Sequence, residues 1–556
     1  MDRRKFLATA VAAAGFVTSS GSAIPAAVLD PRRRHENPFV AKQIFMPRAP
    51  MGWNSWNSFS NTVDSKIVVQ QGKAIVASGL RTAGYRYVNI DEGWWLGDRD
   101  RNGNIVVDPK QWPALEPGER AGDMANIARF LHRLGFKAGI YTDAGKNGCS
   151  FWGPDLGPRR PGTGSEGHYG QDFLQFAKWG FDFVKVDWCG GSHESLDAAV
   201  QYRQIARAIH KAEAATGHRL YLSICSGQSP WTWAPGLGGV SADMWRTGSD
   251  IAAPIVAGSI HANRTVGLTN VLRNFDEGIH PEAQHTGYYN DLDMMVIGMQ
   301  GMSDASNRVQ MSLWAVSGAP LILGADITKL TKSDMSIITN PEVIAVDQDP
   351  LGLQCVKVSE ESPGLQVWAK PLIGSGRRAV VLLNRTTRSA PISVRWSELG
   401  LQPSADAAVR DLWAHKDLGS YAHSYAANVS GHDVVMLTIN GVPRRTTRYK
   451  PATTTNGSLA IDRRRPVIFK DIIPTGRFSY IHVAYVNGGN EPVIIDLEVD
   501  DQDPTRVAFA PTAMENTAGI VTMALDLNEN RQAHSLTFSS GCTAAIRLVS
   551  VSVESW

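Results

Sequence analysis

Phe181-Asp182-Phe183-Val184-Lys185-Val186-Asp187-Trp188-Cys189 reads as a short apolar strand that ends in a carboxylate. Side chains alternate faces along a strand, so Phe181, Phe183, Lys185 and Asp187 share one face, with a charged pair at its C-terminal end. Removing two charges from water is costly unless they are paired or put to use. One reading is a structural salt bridge at a strand end. The other is an ionised carboxylate held beside a cation for chemistry, and the surrounding chain has to decide between them.

Working outward, apolar runs of strand length alternate with helical spacing. Strands are expected at 88–91, 138–141, 181–187, 220–224, 292–297 and 319–323, with Met244-Trp245-Arg246 opening a further unit. Helices are expected at 124–134, around Phe173, Phe176 and Ala177, and over 196–214. Repeated strand–helix units over roughly 300 residues predict a parallel sheet, and their number favours an eight-stranded (β/α) barrel. Nearly every expected strand ends in polar or aromatic residues: Trp56, Asp91 and Glu92, Tyr141 and Asp143, Lys185 and Asp187, Ser226, Arg246 with Asp250, Asp291 with Asp293. In a barrel those ends converge on one face, where such enzymes build their sites. A single polar strand end is ordinary, but so many together favour chemistry over a salt bridge.

At 556 residues the chain is too long for one ordinary core, and a net charge of +2 argues against a nucleic-acid partner. The barrel is expected over 45–350. From 351 to 445 the pattern changes to short alternating strands such as 365–368, 379–383 and 434–439, which predict an antiparallel β-sandwich domain. The polar, basic stretch 446–465 reads as a linker, and 466–556 alternates again like a further β-sandwich module, either carbohydrate-binding or plainly accessory.

The start, Arg3-Arg4-Lys5-Phe6-Leu7 with a largely apolar run to Val17 and small residues after it, has the order of a signal peptide over 1–27. Its Arg3-Arg4 pair resembles a bacterial twin-arginine export signal. No apolar run approaches the ~20 residues that span a bilayer, so no membrane partner is expected after cleavage. Among the five cysteines, Cys149 and Cys189 each follow a strand that ends in an acid and are the candidate disulfide. Cys225, Cys355 and Cys542 have no metal-ligand spacing, so neither metal nor cofactor is expected.

The motifs Met51-Gly52-Trp53-Asn54-Ser55-Trp56, Asn89-Ile90-Asp91, Gly139-Ile140-Tyr141-Thr142-Asp143, Lys185-Val186-Asp187-Trp188-Cys189, Trp245-Arg246-Thr247-Gly248-Ser249-Asp250-Ile251, Asn290-Asp291-Leu292-Asp293-Met294 and Asp347-Gln348-Asp349-Pro350-Leu351-Gly352 resemble, in order, those of the α-galactosidase family, glycoside hydrolase family 27. The resemblance spans about 45–445. It implies a retaining glycosidase acting on a carbohydrate substrate and releasing terminal α-D-galactose, with Asp187 as nucleophile and Asp250 as acid/base. It also implies that Trp56, Asp91, Tyr141, Lys185, Arg246 and Asp293 contact the sugar, that Asp143 and Asp291 support them, and that Cys149 pairs with Cys189. Two carboxyls, one ionised and one protonated, are what this mechanism needs. Lys185 is expected to favour ionised Asp187, and negative Asp187 to hold the proton on Asp250.

Three departures from the family bear on the substrate. Asp91-Glu92 stands where α-galactosidases generally carry Asp-Asp. The additional methylene is expected to push a carboxylate toward the 4- and 6-hydroxyls, a change associated in this family with β-L-arabinopyranosidase activity. Ser226 stands in Cys225-Ser226-Gly227-Gln228 where many members have Cys-Glu-Trp, resembling members that accept an N-acetyl group at C2. Gly93 replaces a cysteine that some members pair. The alternatives are therefore a β-L-arabinopyranosidase on the same fold and, in a different class, a non-catalytic sugar-binding protein.

Overall fold

The computed structural model describes residues 47–153, 160–225, 242–252 and 266–451, and most of 461–556 apart from 462–465, 475–477, 490–492, 501, 503, 513–517, 526–531 and 541–545. The signal-like segment 1–27, Ser226, Cys542 and most of 452–465 lie outside the described residues.

Eight short strands form one parallel sheet: β1 Met51–Asn54, β2 Tyr87–Asn89, β3 Lys137–Asp143, β4 Phe183–Asp187, β5 Tyr221–Cys225, β6 Met244–Arg246, β7 Tyr289–Asp291 and β8 Leu321–Leu323. Their spatial order is β8-β1-β2-β3-β4-β5-β6-β7. The two ends meet through a parallel bridge between Met295 and Leu323, with the Met295 amide donating to the Ile322 carbonyl at 2.7 Å and the Gly324 amide to the Met295 carbonyl at 3.0 Å. This is the expected (β/α)8 barrel, with one displacement. The seventh strand is Tyr289–Asp291, not 292–297. Tyr289-Asn290-Asp291 pairs with β6 despite its polarity, and of the apolar run that follows, Met295 alone supplies the closing bridge. Val296 and Ile297 are buried in the large core cluster.

Helices follow from local chemistry. Helix Ala198–Thr216 starts at Asp197, whose carboxylate accepts the Val200 amide at 3.0 Å, and stops at Gly217, whose φ of +70° suits glycine. Its buried residues Tyr202, Ile205, Ala206, Ile209 and Ala212 recur at helical spacing and form the stripe that packs into the core. Helix Tyr169–Trp179 buries Phe173, Phe176 and Ala177 in the same way.

β4 shows why its sequence alternates. Val184 and Val186 are buried in the large core cluster, whereas Phe183 joins Ala49, Tyr87, Tyr221, Met244 and Tyr289 in a separate one. These five come from the starts of β2, β5, β6 and β7 and from just before β1, so Phe183 belongs to a layer filling the barrel interior. Lys185 and Asp187, two and four residues on, are carried toward the C-terminal mouth.

The middle region forms a six-stranded antiparallel sheet and a two-stranded partner, including Leu365–Pro371, Arg377–Asn384 and Asp433–Asn440. The last region is a β-sandwich of two four-stranded sheets with its own apolar core. Thr447–Tyr449, inside the linker-like stretch, is a strand of that sandwich, paired with Val551, Ser552 and Val553.

Candidate active site

The C-terminal ends of the strands surround a pocket of about 520 Å³, within the range of small-molecule sites. Trp56, Asp91, Glu92, Tyr141, Lys185, Asp187, Arg246, Asp250 and Asp293 all line it. Of the residues singled out from sequence, Ser226 lies outside the described residues.

Asp91 is almost fully buried, and its Oδ2 accepts from Lys185 Nζ at 2.9 Å and from Asn54 Nδ2 at 2.8 Å. Lys185 Nζ stands 3.8 Å from Asp187 Oδ2 and 5.2 Å from the centre of the Tyr141 ring. Burial works against the ammonium charge, but Asp91 and Asp187 outweigh it and hold the Lys185 pKa above its ordinary value. The Asp187 pKa is also raised: burial dominates, Lys185 opposes it, and Asp250 and Asp91 add to it. Lys185 thus favours the ionised form of Asp187 in sign, while desolvation sets the net direction. Asp187 Oδ1 accepts the Trp188 amide at 3.0 Å.

Across the pocket, Arg246 is buried and divides its guanidinium between Asp293 Oδ1 and Asp250 Oδ1, each at 3.2 Å. Asp293 has φ +81°, a conformation aspartate tolerates better than most residues. Its two oxygens accept the Ile251 and Met294 amides, both at 2.7 Å. Burial, opposed by Arg246, pushes its pKa up to about 6. The Asp250 side chain is 64% exposed, in contrast to the others, and its backbone carbonyl accepts from Arg273 Nη2 at 2.7 Å. The acid/base candidate therefore lies on the open side of the pocket beside a cation as well as the anion Asp187.

Cys149 and Cys189 are joined as a disulfide with Cα atoms 5.0 Å apart. Cys149 Sγ lies 3.3 Å from Asp187 Oδ2 and 3.4 Å from the Tyr141 hydroxyl, so the disulfide forms part of the wall beside Asp187. Asp143 approaches both sulfurs, but a disulfide offers no thiolate to a metal. Asp143 is instead a support: its Oδ1 accepts the Gly145 and Gly190 amides at 2.7 and 3.1 Å, and burial followed by repulsion from Asp187 pushes its pKa up to about 8. Asp291 similarly accepts the Asp293 amide at 2.9 Å.

Glu92 differs from the expectation of a carboxylate pushed toward the sugar. Both oxygens turn to Ser150, accepting its amide at 3.0 and 3.1 Å and, through Oε1, its hydroxyl at 2.6 Å. Burial pushes its pKa up to about 8, with the Ser150 bonds opposing. Gly93 has φ +115°, and a Cβ there would lie 2.5 Å from the Asn61 carbonyl oxygen, so the local backbone leaves no room for the missing cysteine. Asp347 and Asp349, in the last of the seven motifs, are absent from the pocket lining. Asp349 accepts the Leu351 and Ile373 amides and so ties the barrel to the middle domain.

Asn54, Trp152, Trp188, Ser192 and His193 were not identified from sequence. Asn54 sits inside a quoted motif at the end of β1, where its position was the available signal. Trp188 likewise sits inside a motif, directly after Asp187, while Trp152, Ser192 and His193 lie in helices of four and five residues, too short to show a periodicity.

Comparison with known proteins gives the family of the chain. A family model described as "Alpha galactosidase A" matches residues 48–349, and one described as "Alpha galactosidase C-terminal beta sandwich domain" matches 362–439. A probable alpha-galactosidase of Dictyostelium discoideum is 35% identical over 394 residues, covering 70% of this chain and 91% of its own. Alpha-galactosidase I from Mortierella vinacea superposes with a TM-score of 0.61 at 27% identity, over 74% of this chain and all of that one. A β-L-arabinopyranosidase from Geobacillus stearothermophilus has a TM-score of 0.59 at 22% identity over 71% of this chain and 97% of its own, a likeness of fold alone.

Proposed function

We infer the reaction from the premise that this chain belongs to the α-galactosidase family, glycoside hydrolase family 27. It is a retaining, exo-acting glycosidase that releases terminal α-D-galactose from oligo- or polysaccharides. The observation that carries this reading is the convergence of Asp187 and Asp250 on one pocket with Asp91, Lys185, Arg246 and Asp293.

In the first step Asp187 attacks the anomeric carbon as the bond to the leaving oxygen breaks, and Asp250 gives that oxygen its proton. A glycosyl ester forms on Asp187. In the second step Asp250 takes a proton from water, whose oxygen attacks the anomeric carbon and frees Asp187. Burial makes Asp187 more basic and so a stronger nucleophile, while Lys185 keeps the ionised form accessible. Asp91, Lys185, Arg246 and Asp293 hold hydroxyls through charge-assisted bonds, and Trp56 and Tyr141 offer ring faces. The exposure of Asp250 suits a group that meets leaving group and water in turn.

Glu92 favours a second reading, a β-L-arabinopyranosidase, because its longer side chain lines the pocket where the family carries aspartate. A non-catalytic sugar-binding protein fits less well, since binding alone does not call for two carboxylates flanking the anomeric centre. The disulfide supports an oxidising compartment, and we place the mature chain outside the cytoplasm, exported by the twin-arginine-type segment 1–27. Among the described residues no helix is long and apolar enough to cross a membrane.

The test is Asp187→Asn, assayed on p-nitrophenyl α-D-galactopyranoside and p-nitrophenyl β-L-arabinopyranoside. Turnover of both should fall by at least about 10⁴-fold while the thermal unfolding midpoint is retained. Hydrolysis that survives the substitution overturns the mechanism.

A further inference from the structure

The pocket has a second wall that the chemistry at the anomeric carbon leaves unused. Trp152, Gly153, Trp188, Ser192 and His193 line the same opening as the charged groups. The Trp152 and His193 rings lie parallel, their centroids 4.4 Å apart and their planes inclined by 6°. They sit at the ends of two short helices, Cys149–Trp152 and Cys189–His193, which begin at the two halves of the disulfide.

The stack is fixed from several sides. His193 Nδ1 lies 2.8 Å from the Cys189 carbonyl, a bond that in the neutral ring uses the Nδ1 proton and leaves Nε2 an acceptor. Phe151 packs edge-on against Trp152 at 4.9 Å. Among the described residues, Trp152 and His193 belong to none of the apolar core clusters, and His193 is exposed. A tryptophan and a histidine thus lie flat against each other in the pocket lining, outside the apolar core clusters.

We propose that Trp152 and His193 form the platform for the leaving group of the reaction above: the pyranose ring joined through the glycosidic oxygen to the terminal galactose. The proposal rests on the glycosidase reading. A pyranose presents one face of C–H groups that packs on aromatic rings and a rim of hydroxyls that needs polar partners. The stacked pair supplies the first, and the Ser192 hydroxyl with His193 Nε2 supplies the second. The division matches the demands on each sugar. The terminal ring is gripped by charged groups at the reacting carbon, whereas the second ring rests on a weaker apolar surface from which it can leave. The preferred substrates are therefore galactosides with a hexopyranose leaving group, over those with a small one.

The test compares kcat/KM for melibiose, whose leaving group is glucose, with kcat/KM for α-D-galactopyranosyl fluoride, whose leaving group is a single atom. Both are measured on the same preparation of each variant, so any inactive fraction cancels in the ratio. Trp152→Ala should lower the melibiose-to-fluoride ratio about tenfold, the usual worth of one stacked ring. His193→Ala should lower it in the same direction, and Trp152→Phe should recover most of the loss. A ratio unchanged in Trp152→Ala overturns the platform. A wild-type protein that cleaves neither galactoside overturns instead the reading on which the platform rests.

Discussion

Glu92 illustrates how far a single side chain can be argued from its identity. Its additional methylene over aspartate is a sequence fact, and its place on the pocket wall followed from the resemblance. Its direction did not follow, because the carboxylate is drawn to the amide and hydroxyl of Ser150, 58 positions further along the chain and next to the disulfide-bonded Cys149. Glu92 still lines the pocket while its oxygens are held by Ser150. Glu92→Asp shortens the chain and withdraws it from Ser150. The ratio of kcat/KM for p-nitrophenyl α-D-galactopyranoside over p-nitrophenyl β-L-arabinopyranoside should then rise about tenfold, within the ~1–3 kcal/mol that one methylene in a pocket is worth. An unchanged ratio would remove Glu92 from the determinants of specificity.

The elements that matter most to the site are the two short helices after β3 and β4. Gly190 shows how close these segments come: a Cβ there would lie 2.5 Å from the Asn147 carbonyl oxygen and 2.7 Å from Asp143 Oδ1. The disulfide closes a loop of 40 residues, for which the chain-entropy account predicts a stabilisation of about 3–4 kcal/mol. The double variant Cys149→Ala/Cys189→Ala should lower the free energy of unfolding in urea by about 2–4 kcal/mol. Its KM should rise as well, because Ser150, Trp152 and His193 all depend on that tether. A urea midpoint equal to that of the wild type would show that packing alone holds the loops. Helices of four and five residues carry no period long enough to recognise in a sequence, whereas the long helices and the β4 alternation do.

At the scale of the whole molecule, the C-terminal sandwich is packed on the middle domain. Tyr480, Ala524 and Trp556 share an apolar cluster with Val380, Trp396 and Leu401. Arg378 pairs with Glu554 and lies 4.8 Å over the Trp556 ring. The Ala508 amide donates to His285 Nε2 of the barrel region at 3.2 Å, and burial pushes the His285 pKa down to about 4, which keeps the ring a neutral acceptor. A sugar-binding module on a free tether could be removed at no cost to the rest. Here a chain ending at residue 445 should unfold at a lower temperature than the intact protein in a calorimetric scan, because Trp396 and Leu401 lose their cover and Arg378 loses its carboxylate. An unfolding temperature unchanged by the truncation would mean that these contacts contribute nothing to stability.

The sequence alone determined the barrel, the β-rich regions after it, and the placing of Asp187 and Lys185 on one strand face. Alternation and helical spacing are local properties, and a strand's period of two sends every second side chain the same way whatever surrounds it. The seventh strand escaped this reading because Tyr289-Asn290-Asp291 is polar and an apolar run stands beside it. Only the tertiary structure decided that Asp250 is exposed beside Arg246, that Glu92 answers to Ser150, and that Trp152 lies on His193. Those relations join residues 4 to 58 positions apart through loop geometry and a covalent bridge, and no periodicity encodes them.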